Sequence, residues 1–191
     1  MEFLREQSPV EYHLREAMKA LSWNMEDQNL IDTPYRVEKF WKEAVWSWDR
    51  IQEELDKFKK AVFNSKLDQM IIEKNIRVLS VCPHHLLPVE YSVDVAYIPS
   101  GKVIGLSKLA RTAVVLGKGL MLQEDYTDVL KKTLQQLLDT EDVAVRVLGR
   151  HYCMIARGVK QKDACVETIS LGGKFLEESV KVEFLQGVRN V

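Results

Sequence analysis

Near Met70 the apolar residues of this chain change their period, and that switch limits what it can fold into more than any other feature. Up to about residue 60 they recur at helical spacing. Ser8-Pro9 is a start signal, with proline suited to a first helical turn, and Val10, Leu14, Met18 and Leu21 follow on one face. Asp32-Thr33-Pro34 is a second start. After it Val37, Phe40, Trp41, Ala44, Val45, Trp48 and Ile51 predict one long helix whose aromatic stripe reads as core or subunit packing, with residues 56–60 as its solvated, charge-rich end. Beyond Met70 the period is two. Residues 76–81 and 92–98 read as strands, Val93, Val95 and Tyr97 alternating with Asp94 and Ala96, and Pro99-Ser100-Gly101-Lys102 as a turn. Ser107 is placed to cap a helix through Leu109 and Val114 to Gly117, and Val129, Leu130, Leu134, Leu137 and Leu138 mark another. Val143, Val145 and Val147 alternate, residues 151–157 continue as a strand after Gly149, Gly172-Gly173 interrupts a later extended run, and a short helix over 183–188 follows. The expectation is one α+β domain over 1–191, with a helical part at 1–60 and a core at 70–191, in the order α-α-β-β-α-α-β-β-α.

Charge narrows the partners. Lys and Arg total 27 against 28 for Asp and Glu, a net charge of −1, so no general basic field attracts nucleic acid and any bound anion must be gripped locally. No apolar run reaches the ~20 residues of a membrane span, and residues 1–6 carry charges where a secretory leader needs an apolar stretch. Three cysteines do not make a disulfide framework; a reducing cytoplasm is the expected location, and cysteines close to histidines there are candidates for a metal.

Five of the seven histidines and cysteines fall in Cys82-Pro83-His84-His85 and His151-Tyr152-Cys153. A Cys-x-x-His step leaving a strand can bring Cys82 and His85 to one ion, and the strand period puts His151, Cys153, Ile155 and Arg157 on one face. Three ligands with no evident fourth is the pattern of a catalytic zinc; buried apolar-type cysteines with incidental histidines are the alternative. The His-x-Glu and Pro-Cys-x-x-Cys pattern of the zinc deaminases is absent. His84 and His151 remain as imidazoles able to carry protons beside a metal, His13 reads as solvated, and Cys165 as a small buried residue of a late strand. Gly105-Leu106-Ser107-Lys108-Leu109-Ala110-Arg111 opens a helix with a hydroxyl and two cations, which suits a polyphosphate or simply a capped surface helix, and it is not a P-loop. Gln123-Glu124 opens the next helix. A carboxylate there can accept from guanine N1–H and its 2-amino group, a donor pair adenine lacks, or it can merely complement the helix dipole.

Together these segments resemble the GTP cyclohydrolase I family of the tunnelling fold. The resemblance runs from Thr33 onward through Thr33-Pro34-x-Arg36-Val37, Cys82-x-His84-His85-Leu86-Leu87-Pro88, Val95-Ala96-Tyr97-Ile98-Pro99 and Val103-Ile104-Gly105-Leu106-Ser107-Lys108-Leu109-Ala110-Arg111. It continues through Gln123-Glu124, His151-Tyr152-Cys153-Met154, Ala156-Arg157-Gly158 and Ser170-Leu171-Gly172-Gly173-x-Phe175. It implies an antiparallel sheet with helices packed on one face, an N-terminal helical hairpin, and a toroidal homodecamer with sites at subunit junctions. It also implies Zn2+ on Cys82, His85 and Cys153, proton transfer by His84 and His151, and guanine on Glu124 helped by Gln123. Ser107, Lys108, Arg111 and Arg157 would hold the triphosphate, with Arg36 and Lys39 reaching it from the long helix. The implied reaction is attack of zinc-activated water at C8 of GTP, ring opening, loss of formate, sugar rearrangement and closure to 7,8-dihydroneopterin triphosphate. The chain departs from the family pattern at Pro83, where Glu is usual, at Asp125, where Arg is usual, at Val89-Glu90-Tyr91, where a Gly is usual, and at Cys165 and Glu167, where small hydroxyl residues are usual. Two other readings are a non-catalytic, zinc-stabilised GTP- or pterin-binding assembly, against which His84 and His151 speak, and a sister tunnelling-fold enzyme. The pterin synthase type would need three histidines on zinc, and the nitrile reductase type a nucleophilic Cys with NADPH.

Overall fold

A computed structural model describes residues 6–189; the charged segment at residues 1–5 lies outside them. The chain divides into two compact units, Met1–Ala44 and Val45–Val191. In the first, α1 (Pro9–Ala20) starts where Ser8 accepts a hydrogen bond from the Glu11 N–H, with Pro9 in the first turn. It packs on α2 (Thr33–Ala44), Ser8 Oγ donating to Glu38 and Arg15 Nη2 to Ile31 O, which makes the expected helical hairpin.

The long helix ends early. α2 stops at Ala44, and α3 (Trp48–Asp56) begins afresh where Ser47 accepts from the Arg50 N–H. Between them the Trp46 N–H is used by Lys118 O at 2.9 Å rather than by a helix carbonyl. A cap resets the helix without disturbing the apolar spacing, so Ile51 is buried and Trp48 exposed.

The second unit is α+β. A four-stranded antiparallel sheet runs β2-β3-β5-β6, from β2 (Ile71–Val81), β3 (Pro88–Tyr97), β5 (Val143–His151) and β6 (Val166–Leu171). β1 (Val62–Asn64) and β4 (Lys102–Ile104) form a small second sheet. Between β4 and β5 come α4 (Leu106–Leu116) and α5 (Gln123–Leu138), laid on one face, where Val89, Tyr91, Val93 and Val95 meet Leu109, Leu116, Leu130 and Leu134. The opposite face is covered by α7 (Glu178–Arg189), longer than the short helix expected, with Phe184 against Phe175, Ala96 and Ala144. On that face Arg146 bridges Asp94 (2.9 Å) and Glu167 (2.5 Å), while Asp94 also accepts from the Asn75 N–H at a bulge in β2.

Three further expectations change. Gly105, not Ser107, precedes α4, and Ser107 lies inside the first turn with no capping bond. β5 ends at His151, where the chain enters a single helical turn, α6 (Tyr152–Ile155), so residues 151–157 are not one strand. Cys165 is exposed, one residue ahead of β6.

Candidate active site

β2 and β3 are joined by residues 82–87, a loop closed twice, by Cys82 N–H to Leu87 O (2.8 Å) and Leu86 N–H to Cys82 O (2.9 Å). Leu86 takes a positive φ of 54° to make the return. Pro83 and His84 fill the turn, so proline's missing donor is not called upon. The loop therefore presents Cys82 and His85 at the end of the sheet where β3 begins. Register brings the third residue there: Val89 pairs with His151, and the α6 turn swings Cys153 back towards Cys82. The ligand atoms of Cys82, His85 and Cys153 all lie within 4.8 Å of one another. The shared-face argument for Cys153 fails because the backbone coils at Tyr152, yet the residue arrives by that coil.

Two sulfurs and one imidazole nitrogen are a donor set suited to a transition metal ion. Burial pushes the Cys153 thiol up, and its hydrogen bond with Cys82 adds to the shift. A metal must therefore displace a proton there, and its affinity falls as pH falls. His84 is exposed, its Nδ1 4.0 Å from Cys82 Sγ and its ring edge-on to His85 at 6.3 Å. His151 is half-buried; burial holds its pKa below the usual imidazole value, opposed by the charge of Glu124. Glu124 itself is exposed in the first turn of α5.

The other expected residues divide by location. Arg157 Nη1 donates to His85 Nε2, so this guanidinium stands at the metal-ligand end. Ser107, Lys108 and Arg111 do not. α4 starts beside β4 and the far end of β3, where the Ile104 N–H meets Tyr97 Oη, and Lys108 lies over Phe58. β3 has ten residues, so about 30 Å of sheet runs between its two ends. Arg36 and Lys39 are exposed on α2 in the first unit, Arg36 paired with Asp32. Gln123 is buried rather than facing the opening, its Oε1 2.8 Å from His151 Nε2.

Sequence patterns gave no role to three neighbours. Tyr91, visible only as a departure, is buried, stacks on Tyr126 (5.0 Å) and meets His151 edge-on (6.2 Å). Burial pushes its hydroxyl up to about 12, against a hydrogen bond with Ser80, so it stays a neutral phenol near Cys82 and Glu124. Thr168 and Gly149 border Gln123; the only local signal was a glycine interrupting a valine-rich strand.

The model of the family described as GTP cyclohydrolase I matches residues 10–189. "GTP cyclohydrolase 1" of Photobacterium profundum is 36% identical over 181 residues, 94% of this chain and 83% of its own. "GTP cyclohydrolase 1 1" of Pseudomonas syringae pv. tomato is 37% identical over 180 residues, 94% of this chain and 95% of its own. Among solved structures, an apo archaeosine synthase QueF-Like is 23% identical, covers 55% of this chain and 93% of that chain, and has a TM-score of 0.42.

Proposed function

The chain belongs to the GTP cyclohydrolase I family, and we propose that it binds zinc through Cys82, His85 and Cys153 and converts GTP to formate and 7,8-dihydroneopterin triphosphate. The observation that carries the reading is the convergence of those three donors within 4.8 Å, at the end of the sheet that also holds His151, Glu124 and Arg157. Zinc supplies Lewis acidity that makes water nucleophilic near neutral pH. The protein's own groups do the rest. Glu124 accepts from the guanine N1–H and 2-amino group and sets which ring atom faces the metal ligands. His151, held neutral by burial, accepts a proton and returns it as the ring opens; His84, exposed at the turn, is the second carrier. Arg157 meets phosphate with its planar fork. The product can enter folate, biopterin or deazapurine synthesis. No helix among the described residues is long and apolar enough to cross a membrane.

Ser107, Lys108 and Arg111 serve the same ligand only from a second copy of the chain, because the sheet's length separates them from Cys82 within one copy and a nucleoside triphosphate is shorter than that. The reading therefore includes a homo-oligomer, proposed as the decamer that the family resemblance implies, with each site completed across a junction. Incubation with GTP should yield formate and a fluorescent oxidised pterin, with about one zinc per chain; a zinc-loaded protein that binds GTP and releases no formate would return the chain to the non-catalytic reading. The junction has its own test. Cys153→Ser and the pair Lys108→Ala/Arg111→Ala should each be impaired alone. Co-assembled in equal amounts, they should regain roughly a quarter of parental activity, because random mixing leaves that share of sites with both parental halves. Mixtures no better than the variants alone would overturn the completion of the site by a second copy.

A further inference from the structure

We infer that Gln123 is a positioning residue, which clamps His151 as its Nε2–H tautomer and so leaves Nδ1 as the proton-accepting atom of the ring. The inference rests on the functional reading above but uses atoms that reading did not need.

The orientation of the Gln123 amide is set by its surroundings. Its nitrogen lies 3.2 Å from Val147 O, 3.0 Å from Val166 O and 3.1 Å from Thr168 Oγ1. Backbone carbonyls only accept, so the group facing them is the NH₂; the flipped amide would set an oxygen against two carbonyl oxygens in a buried place. The neighbouring hydroxyls agree. Thr127 Oγ1 is 2.8 Å from Gln123 O, a carbonyl, and so donates to it. Thr168 Oγ1, 2.6 Å from Thr127 Oγ1, then donates to Thr127 and offers a lone pair to the Gln123 amide, whose two hydrogens are shared among the hydroxyl and the two carbonyls. This ring of bonds closes in one sense.

With its nitrogen so engaged, Gln123 offers Oε1 to His151 Nε2 at 2.8 Å, and an amide oxygen can only accept. The proton is therefore on Nε2, and a neutral imidazole has just one ring N–H. Two residues keep the pair together. Tyr91 lies edge-on to the His151 ring at 65°. Gly149, directly across from Tyr91 in the sheet, leaves the space that the amide fills, since a Cβ there would stand 2.1 Å from Gln123 Oε1 and 2.9 Å from its Cδ. Gln123 thus acts on the reaction through His151 and has no exposed group with which to hold guanine, a role left to Glu124.

The two roles separate in kinetics. Loss of a base contact weakens GTP binding, whereas loss of a clamp lowers turnover with binding retained. In the zinc-loaded enzyme, Gln123→Met should lower kcat for formate release by roughly 10–100-fold, with the Kd for GTP within about threefold. An affinity loss as large as the turnover loss would overturn the assignment. Gly149→Ala keeps the amide but displaces it, so it should give the same split, and the double variant should be no worse than the poorer single; fully additive losses would also count against the clamp. Neutron diffraction from the zinc-loaded parent at about pH 8, above the ordinary histidine value of about 6.5, reads the tautomer without turnover. Deuterium on Nε2 with none on Nδ1 is expected, and deuterium on Nδ1 alone overturns the inference. A parent that releases no formate from GTP would defeat the functional reading and leave this measurement standing.

Discussion

Cys153→Ser is expected to leave the chain folded and to remove both its metal and its turnover. Cys153 sits on a single helical turn that follows β5 and is only partly buried, so the loss of one sulfur leaves the sheet and the helices packed on it intact. What remains is a thiol and an imidazole on one loop, a pair too few to hold zinc against competing chelators. Turnover should fall by roughly three orders of magnitude or more, since a bound zinc would bring the pKa of water down towards neutrality and the side chains here offer no substitute. Metal content per chain, formate release and far-ultraviolet circular dichroism together check this. Parental zinc in the variant would remove Cys153 from the ligand set. Cys82→Ser should behave alike, with a somewhat larger cost in stability because Cys82 is buried against the core.

Arg146→Met should be strongly destabilising although Arg146 lies outside the apolar core. Arg146 bridges Asp94 and Glu167 on the sheet face opposite α4 and α5, and Asp94 is 3% exposed. Removing the cation strands a buried carboxylate, which costs about 3–5 kcal/mol. Glu167, nearly half exposed, contributes little to that figure. Asp94→Asn added to Arg146→Met should recover more than half of the loss, because an asparagine carries no charge and its oxygen still accepts from the Asn75 N–H. Denaturant midpoints at one protein concentration measure both, the concentration being fixed because any assembly couples to stability. A single variant within about 1 kcal/mol of the parent would mean that the ion network carries no net stability.

Much of this was legible in local pattern. Ser8-Pro9 announced α1, the Leu and Val repeats announced α5 and the strands, and Cys82-x-x-His85 announced a loop with two ligands on it. What local pattern missed has a common cause. The apolar spacing from Val37 to Ile51 passes unbroken through a helix end and a new cap at Ser47, since periodicity registers faces and not phase resets. His151, Cys153 and Ile155 alternate as a strand would, but the backbone coils after His151. Gln123 reads as a helix-start polar residue, and only the approach of Val147, Val166 and Thr168 from two other strands shows what its amide does. The separation of Lys108 from Cys82 likewise belongs to the order in which helices cross the sheet, which no window of sequence contains.

The pairing of Val89 with His151 also fixes a sequence in time. The β2–β3 hairpin is local and can close as soon as it leaves the ribosome, with Cys82 and His85 already on its loop. Cys153 lies some seventy residues later and reaches them only after α4 and α5 have crossed and β5 has docked beside β3. Such distant strand pairings form late, because the loop entropy is lost before the contacts can offset it. Between the making of His85 and that of Cys153 the nascent protein therefore carries two donors of the proposed set without the third. On the proposed ligand set, tight retention of an ion would begin only when β5 is in register beside β3, so in newly made chains a tightly held ion would report that pairing rather than the start of the sheet.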